Sequence, residues 1–77
     1  MTVPEANEEL DLRGIPCPAN AARAIVKMQI MDEGEVLLVH VDSGEPFENV
    51  SRSLEIAGHS ILSRKQTDSG WDLWVKG

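Results

Sequence analysis

The chain has a single cysteine, Cys17, among its 77 residues, so no internal disulfide can staple it and no paired-cysteine metal site can form. Basic residues are also scarce. Seven Lys and Arg stand against 13 Asp and Glu, a formal charge of −6, and that balance opposes direct non-specific attachment to nucleic acid or to anionic membranes. The residues before Leu10, MTVPEANEE, lack both a basic start and a long apolar run, so they read as neither a signal peptide nor a membrane segment. Glycine-rich phosphate loops are missing: Gly14 stands alone, and no GxGxxG or GxxxxGK pattern occurs. Repeats, low-complexity stretches and interdomain linkers are missing too. What a chain of this length can build is one small domain. The expected organisation is an acidic, frayed leader over 1–9 and a single domain over 10–77. A free thiol without a disulfide partner suits a reducing, cytoplasmic compartment.

The apolar pattern predicts six elements. Leu10 and Leu12 alternate with Asp11 and Arg13 as in a half-buried strand, and Gly14 ends the alternation. From Pro18 to about Met31 the spacing turns helical: Ala21, Ala24 or Ile25, Met28 and Met31 form one stripe, and Asp32-Glu33-Gly34 stops it. Glu35 to Asp42 reads as a strand with Leu37, Val39 and Val41 on one side and Val36, Leu38 and His40 on the other. Asp42 to Pro46 supplies turn and helix-start residues, and Phe47, Val50, Leu54 and Ala57 give a second amphipathic stripe closed by Gly58. His59 to Lys65 and Trp71 to Lys76 read as strands joined by a hairpin turn at Thr67-Asp68-Ser69-Gly70. The order βαβαββ is satisfied most simply by an α+β two-layer sandwich: one four-stranded mixed sheet with both helices on one face. The other face would then carry Val36, Leu38 and one of Trp71 or Trp74, an apolar patch of the kind that docks partners.

Cys17 falls where the first strand gives way to the first helix. Proline suits the first turn of a helix, because its missing N–H breaks no hydrogen bond there. Pro18 is therefore expected as the first helical residue and Cys17 as the N-cap. A sulfur in that place would face free N–H groups and the positive end of the helix dipole, both of which favour a thiolate. Pro16 and Pro18 stiffen the flanks and fix the corner. A lone cysteine is more often a small buried hydrophobe. This one lies on no apolar stripe, so the corner points to reactivity. Arg13, Arg23 and Lys27 belong to the strand and helix that flank it and leave open a local basic patch, able to steer an acidic partner or stabilise a sulfur anion, although a solvated face explains Lys27 better and Arg13 equally well.

Leu10-Asp11-Leu12-Arg13-Gly14-Ile15-Pro16-Cys17-Pro18 resembles the signature of the TusA-like (SirA-type) sulfur-carrier family, Leu-Asp-x-Arg-Gly-x-x-Cys-Pro-x-Pro. By order and spacing of elements the resemblance runs from about Leu10 to Val75. It departs from the motif at Asn20, where the second proline would stand; an Asn there could still reach back to the Cys17 backbone N–H as in a capping box. The resemblance implies the same two-layer fold, Cys17 as a persulfide site, Pro18 as helix starter, and Asp11, Arg13 and Gly14 as residues shaping the approach. Asp11 would organise the turn or pair with Arg13.

Other chemistries find no support in the pattern. His40 and His59 show no ligand spacing for a metal site with Cys17 and read as surface or edge-strand residues. A protease-type Cys–His pair lacks an orienting third group and an oxyanion site. Disulfide exchange within one chain requires a second cysteine. The remaining expectation is a monomeric group-transfer carrier without metal or cofactor, taking sulfane sulfur from a donor cysteine and passing it to an acceptor protein; the family resemblance implies a cysteine desulfurase or a rhodanese-type sulfurtransferase as the donor. The family resemblance extends that relay towards tRNA thiolation, molybdenum cofactor maturation or sulfur oxidation. Two alternatives stay open: a non-catalytic interaction module of the same fold, and a thiol redox sensor.

Overall fold

A computed structural model describes residues 5–77. Its elements are β1 (Glu8–Asp11), α1 (Ala19–Ile30), β2 (Val36–Val41), α2 (Glu45–Ile56), β3 (Ser60–Thr67) and β4 (Gly70–Lys76). The strands form one sheet in the order β1-β2-β4-β3. β1 runs parallel to β2, whereas β4 is antiparallel to both β2 and β3. The last strand is thus inserted between two parallel neighbours, and the sheet is mixed.

Register explains which side chains become core. Leu37 lies opposite Val75 and Val39 opposite Leu73, so these four share a sheet face. Ala21, Ala24, Met28 and Met31 from the α1 side and Val50 and Leu54 from α2 join them in one buried cluster. Both helices therefore cover the same face, as the two apolar stripes require. Fully burying a Leu or Val side chain stabilises a fold by about 1.5–3 kcal/mol, and Leu37, Val39, Val50, Leu54, Leu73 and Val75 are all 0% exposed.

Several elements depart from the pattern-based expectation. β1 begins at Glu8, two residues inside the expected leader, because Asn7 N–H already bonds Val36 O at 2.8 Å and the parallel ladder starts there. The expected leader at positions 1–4 lies outside the described residues. Ala57 ends α2 as an exposed C-cap rather than extending its buried stripe. β3 is longer than expected and bulged: Ile61 and Ser63 oppose the consecutive residues Val75 and Trp74, which leaves Leu62 extra and 45% exposed.

The two tryptophans divide between the faces. Trp71 turns to the helices and stacks on Phe47, with ring centroids 4.4 Å apart. Trp74 lies opposite Leu38 on the other face, yet it is only 6% exposed. That face thus carries Val36, Leu38 and one tryptophan, as the pattern predicts, but the Trp74 ring is covered and adds little exposed apolar surface for docking. Val26, Ile30, Ile56 and Leu62 are the exposed large apolar side chains among the described residues.

Candidate functional site

The link from β1 to α1 is pinned at both ends. Leu12 is buried and its N–H bonds His40 O at 2.8 Å, carrying the ladder one step past β1. Asp11 then takes Arg13 in a two-pronged grip: Arg13 Nε donates to Oδ1 at 2.9 Å and Nη2 to Oδ2 at 2.8 Å, while the Arg13 backbone N–H also bonds Oδ1 at 3.0 Å. These hydrogen bonds hold the Asp11 carboxyl far below the usual carboxylate range and raise Arg13 above its ordinary value. Arg13 Nη1 also donates to Ser69 Oγ at 3.3 Å, tying the link to the β3–β4 turn. Arg13 is thus occupied in shaping the turn, and the pairing with Asp11 takes the form expected from the sequence.

Gly14 has φ +79°, a region that favours glycine. Its N–H donates to Asp42 Oδ2 at 2.7 Å. Asp42, just past β2, is a contributor that no local motif announced, because it meets Gly14 only across the fold.

Cys17 is an exposed free thiol, as the corner between two prolines suggested. Its relation to the helix differs from expectation. α1 starts at Ala19 with Pro18 as its N-cap, so Cys17 stands one residue outside the cap. Two of the first-turn donors are already engaged: Asn20 N–H bonds Pro16 O at 3.1 Å, and Ala21 N–H bonds Asn20 Oδ1 at 2.7 Å. The sulfur therefore does not meet a row of free N–H groups. Nor does Asn20 reach back to the Cys17 backbone. It is 0% exposed, and its Nδ2 has no partner among the described residues; position 20 faces inward with Ala24, so a residue able to cap from the surface is instead turned into the core.

The donor that does reach the sulfur comes from the other helix. Asn49 Nδ2 donates to Cys17 Sγ at 3.4 Å. Asn49 is half-buried in α2, next to Val50 of the apolar stripe. A polar residue beside a stripe carries no signal of what it faces, and sequence reasoning passed over it.

The remaining candidates lie elsewhere. Arg23 and Lys27 line a shallow apolar groove of about 400 Å³ between α1 and β1, with Leu10, Ala22, Val26 and Ile30; Cys17 is outside it. Lys27 bonds Glu8 of β1 at 2.6 Å and is half-buried, so it is not a solvated helix cation. His40 is likewise not on an edge. It sits on β2 between two strands, where Nδ1 meets Asp72 Oδ1 at 2.6 Å and Nε2 meets Glu9. Among the described residues, no group of three His, Cys, Asp or Glu side chains is placed to hold a metal ion, and no helix is long and apolar enough to cross a membrane.

A two-layer α+β domain that presents one free thiol on a pinned turn before its first helix defines a class of small thiol-bearing proteins. The chain belongs to the TusA sulfurtransferase family, whose pattern matches residues 8–77. It is 38% identical over 73 residues to a proposed sulfur carrier protein of Archaeoglobus fulgidus, with 94% of this chain and 83% of the relative covered. A second proposed sulfur carrier protein, from Methanocaldococcus jannaschii, is 28% identical over 71 residues, covering 92% of this chain and 95% of the relative.

Proposed function

We propose that this protein is a sulfur carrier that accepts sulfane sulfur as a persulfide on Cys17 and hands it to an acceptor protein. The observation that carries the reading is the exposed, solitary thiol: with one cysteine in the chain, whatever it takes up leaves only by reaction with another molecule. Loading proceeds by attack of the Cys17 thiolate on the outer sulfur of a donor persulfide. The donor S–S bond breaks, its electron pair leaves with the donor thiolate, and Cys17 holds the transferred sulfur. Discharge is the same exchange run towards an acceptor, so no external oxidant enters.

Exposure at a fixed corner supports sequential access by two partners, and the family and both named relatives agree with the cargo. Within this reading the donor is a cysteine desulfurase or a rhodanese-type sulfurtransferase, the compartment is the reducing cytoplasm, and Cys17 acts with Asp11, Arg13, Gly14 and Pro18 as the residues that hold its turn. Incubation with a cysteine desulfurase and labelled cysteine, followed by intact mass measurement, tests it. The protein should gain one sulfur atom, lose it to reductant, and gain none as Cys17→Ser. A wild-type chain that takes up no sulfur would overturn the proposal and leave a binding module of the same fold.

A further inference from the structure

We infer that Asn49 is a catalytic hydrogen-bond donor for sulfur release, acting on Cys17 Sγ as the leaving group. The inference deepens the carrier reading and rests on it. Among the described residues, Asn49 alone hydrogen-bonds the sulfur, at 3.4 Å from a helix 32 residues away in sequence. The first-turn N–H groups of Asn20 and Ala21, which a helix-start cysteine would ordinarily use, are spent on Pro16 O and Asn20 Oδ1. The charge on the sulfur is therefore met by a side-chain amide.

The chemistry separates the two halves of the carrier cycle. When an acceptor thiolate attacks the outer sulfur of protonated Cys17–S–SH, a new S–S bond forms on the acceptor, the old one breaks, and its electron pair passes to Cys17 Sγ as a thiolate. The acceptor leaves with the sulfur and its proton, so atoms and charge balance. Negative charge grows on Sγ, the atom Asn49 faces, and a donor aimed at developing charge speeds the step that produces it. In loading, Cys17 is the nucleophile. There Asn49 faces charge that is leaving the sulfur, not charge developing on it, so it gives the loading step no comparable help. Asn49 thus favours giving sulfur away over taking it up. An amide is suited to this because it donates without carrying charge, whereas a carboxylate at position 49 would repel both the persulfide and the thiolate.

The test loads the wild type, Asn49→Ala and Asn49→Asp with inorganic polysulfide, then measures discharge to cyanide, which takes the outer sulfur as thiocyanate and leaves the Cys17 thiolate. Both variants should discharge about five- to tenfold more slowly than the wild type. Loading should change by less than about twofold in Asn49→Ala. Slowed discharge with loading kept is the readout that a purely structural role would not produce, because a displaced thiol would lose both steps. The alanine variant separates loss of the donor from repulsion of cyanide by a carboxylate, and circular dichroism identifies which variants are folded; if only Asn49→Asp folds, an unchanged discharge rate there still overturns the inference. Equal discharge rates in wild type and a folded variant overturn the inference and leave the carrier reading intact. Failure of the wild type to load overturns that reading, and the inference falls with it.

Discussion

Asp11 and Arg13 show how two surface side chains set the geometry of a third. Both are exposed, and exposed ion pairs contribute little stability by themselves. Their hydrogen bonds, one of them to the Arg13 backbone, lie on the turn that leads to Cys17. Because Asp11 is depressed by the Arg13 hydrogen bonds, its contribution is present above the ordinary carboxylate range and is lost only as pH falls through the lower, folded-state value. Carboxyl NMR should therefore show Asp11 still ionised at about pH 3, where free carboxylates are mostly protonated. Titration of Asp11 in the ordinary range would mean that the grip on Arg13 is not kept in solution. At Gly14, the bond to Asp42 Oδ2 is a single long-range tie. Asp42→Ala should cost about 1 kcal/mol in urea unfolding, the net worth of a hydrogen bond.

At the scale of elements, the edge strand β1 is short, four residues, and it leads straight into the thiol-bearing turn. His40 fastens it to the sheet by bridging Glu9 on β1 and Asp72 on β4. Burial opposes a charge on His40, but the hydrogen bonds to Glu9 and Asp72 outweigh it, and its value is raised above 6.5. Asp11, on β1 opposite His40, adds to the acidic surroundings, while Lys65 on β3 stands opposite Asp72 in the strand register. A folded-state value above the unfolded one places the stabilisation below the ordinary histidine range and removes it as pH rises through the raised value. Thermal melts should accordingly show stability falling as pH rises from the ordinary histidine range upward, and His40→Gln should flatten that dependence. A slope unchanged in the variant would assign it to other groups.

The β2–β4 pairing has its own constraint. At Gly70, φ is +154°, and an added Cβ would lie 2.0 Å from Val41 O. Neither backbone can retreat without breaking the ladder. Gly70→Ala should destabilise by an amount at the top of the roughly 1–3 kcal/mol range for overpacking, read as a lower urea midpoint, whereas an unaffected midpoint would show that the hairpin relaxes freely.

On the scale of the whole molecule, one cluster serves both helices and the sheet, and a domain of this size has only a thin margin of stability. Leu54→Ala should cost about 2–5 kcal/mol, and loss of α2 packing should be felt at Cys17, since Asn49 sits on the same helix. Far-ultraviolet circular dichroism and thiol alkylation should therefore report one transition at one urea concentration. Separate midpoints would mean that the thiol turn unfolds independently of the core.

The alternation of Leu37, Val39 and Val41 and the helical stripe of Ala21, Ala24, Met28 and Met31 were legible in sequence, because periodicity is a property of contiguous residues and burial follows it. The corner holding Cys17 was legible for the same reason: prolines and Gly14 act on their immediate neighbours. Which tryptophan faces the helices was not, since the register between β2 and β4 decides it. The pairing of His40 with Glu9 and Asp72 likewise needed three strands side by side. Taken alone, the sequence determined the order of elements, the composition of the core and the place of the solitary thiol. Tertiary structure decided what touches that thiol. The helix-start amides of Asn20 and Ala21 are taken up locally by Pro16 and Asn20, and the donor that reaches the sulfur is brought in by packing α2 against α1, a contact between residues too far apart in the chain for any local pattern to encode.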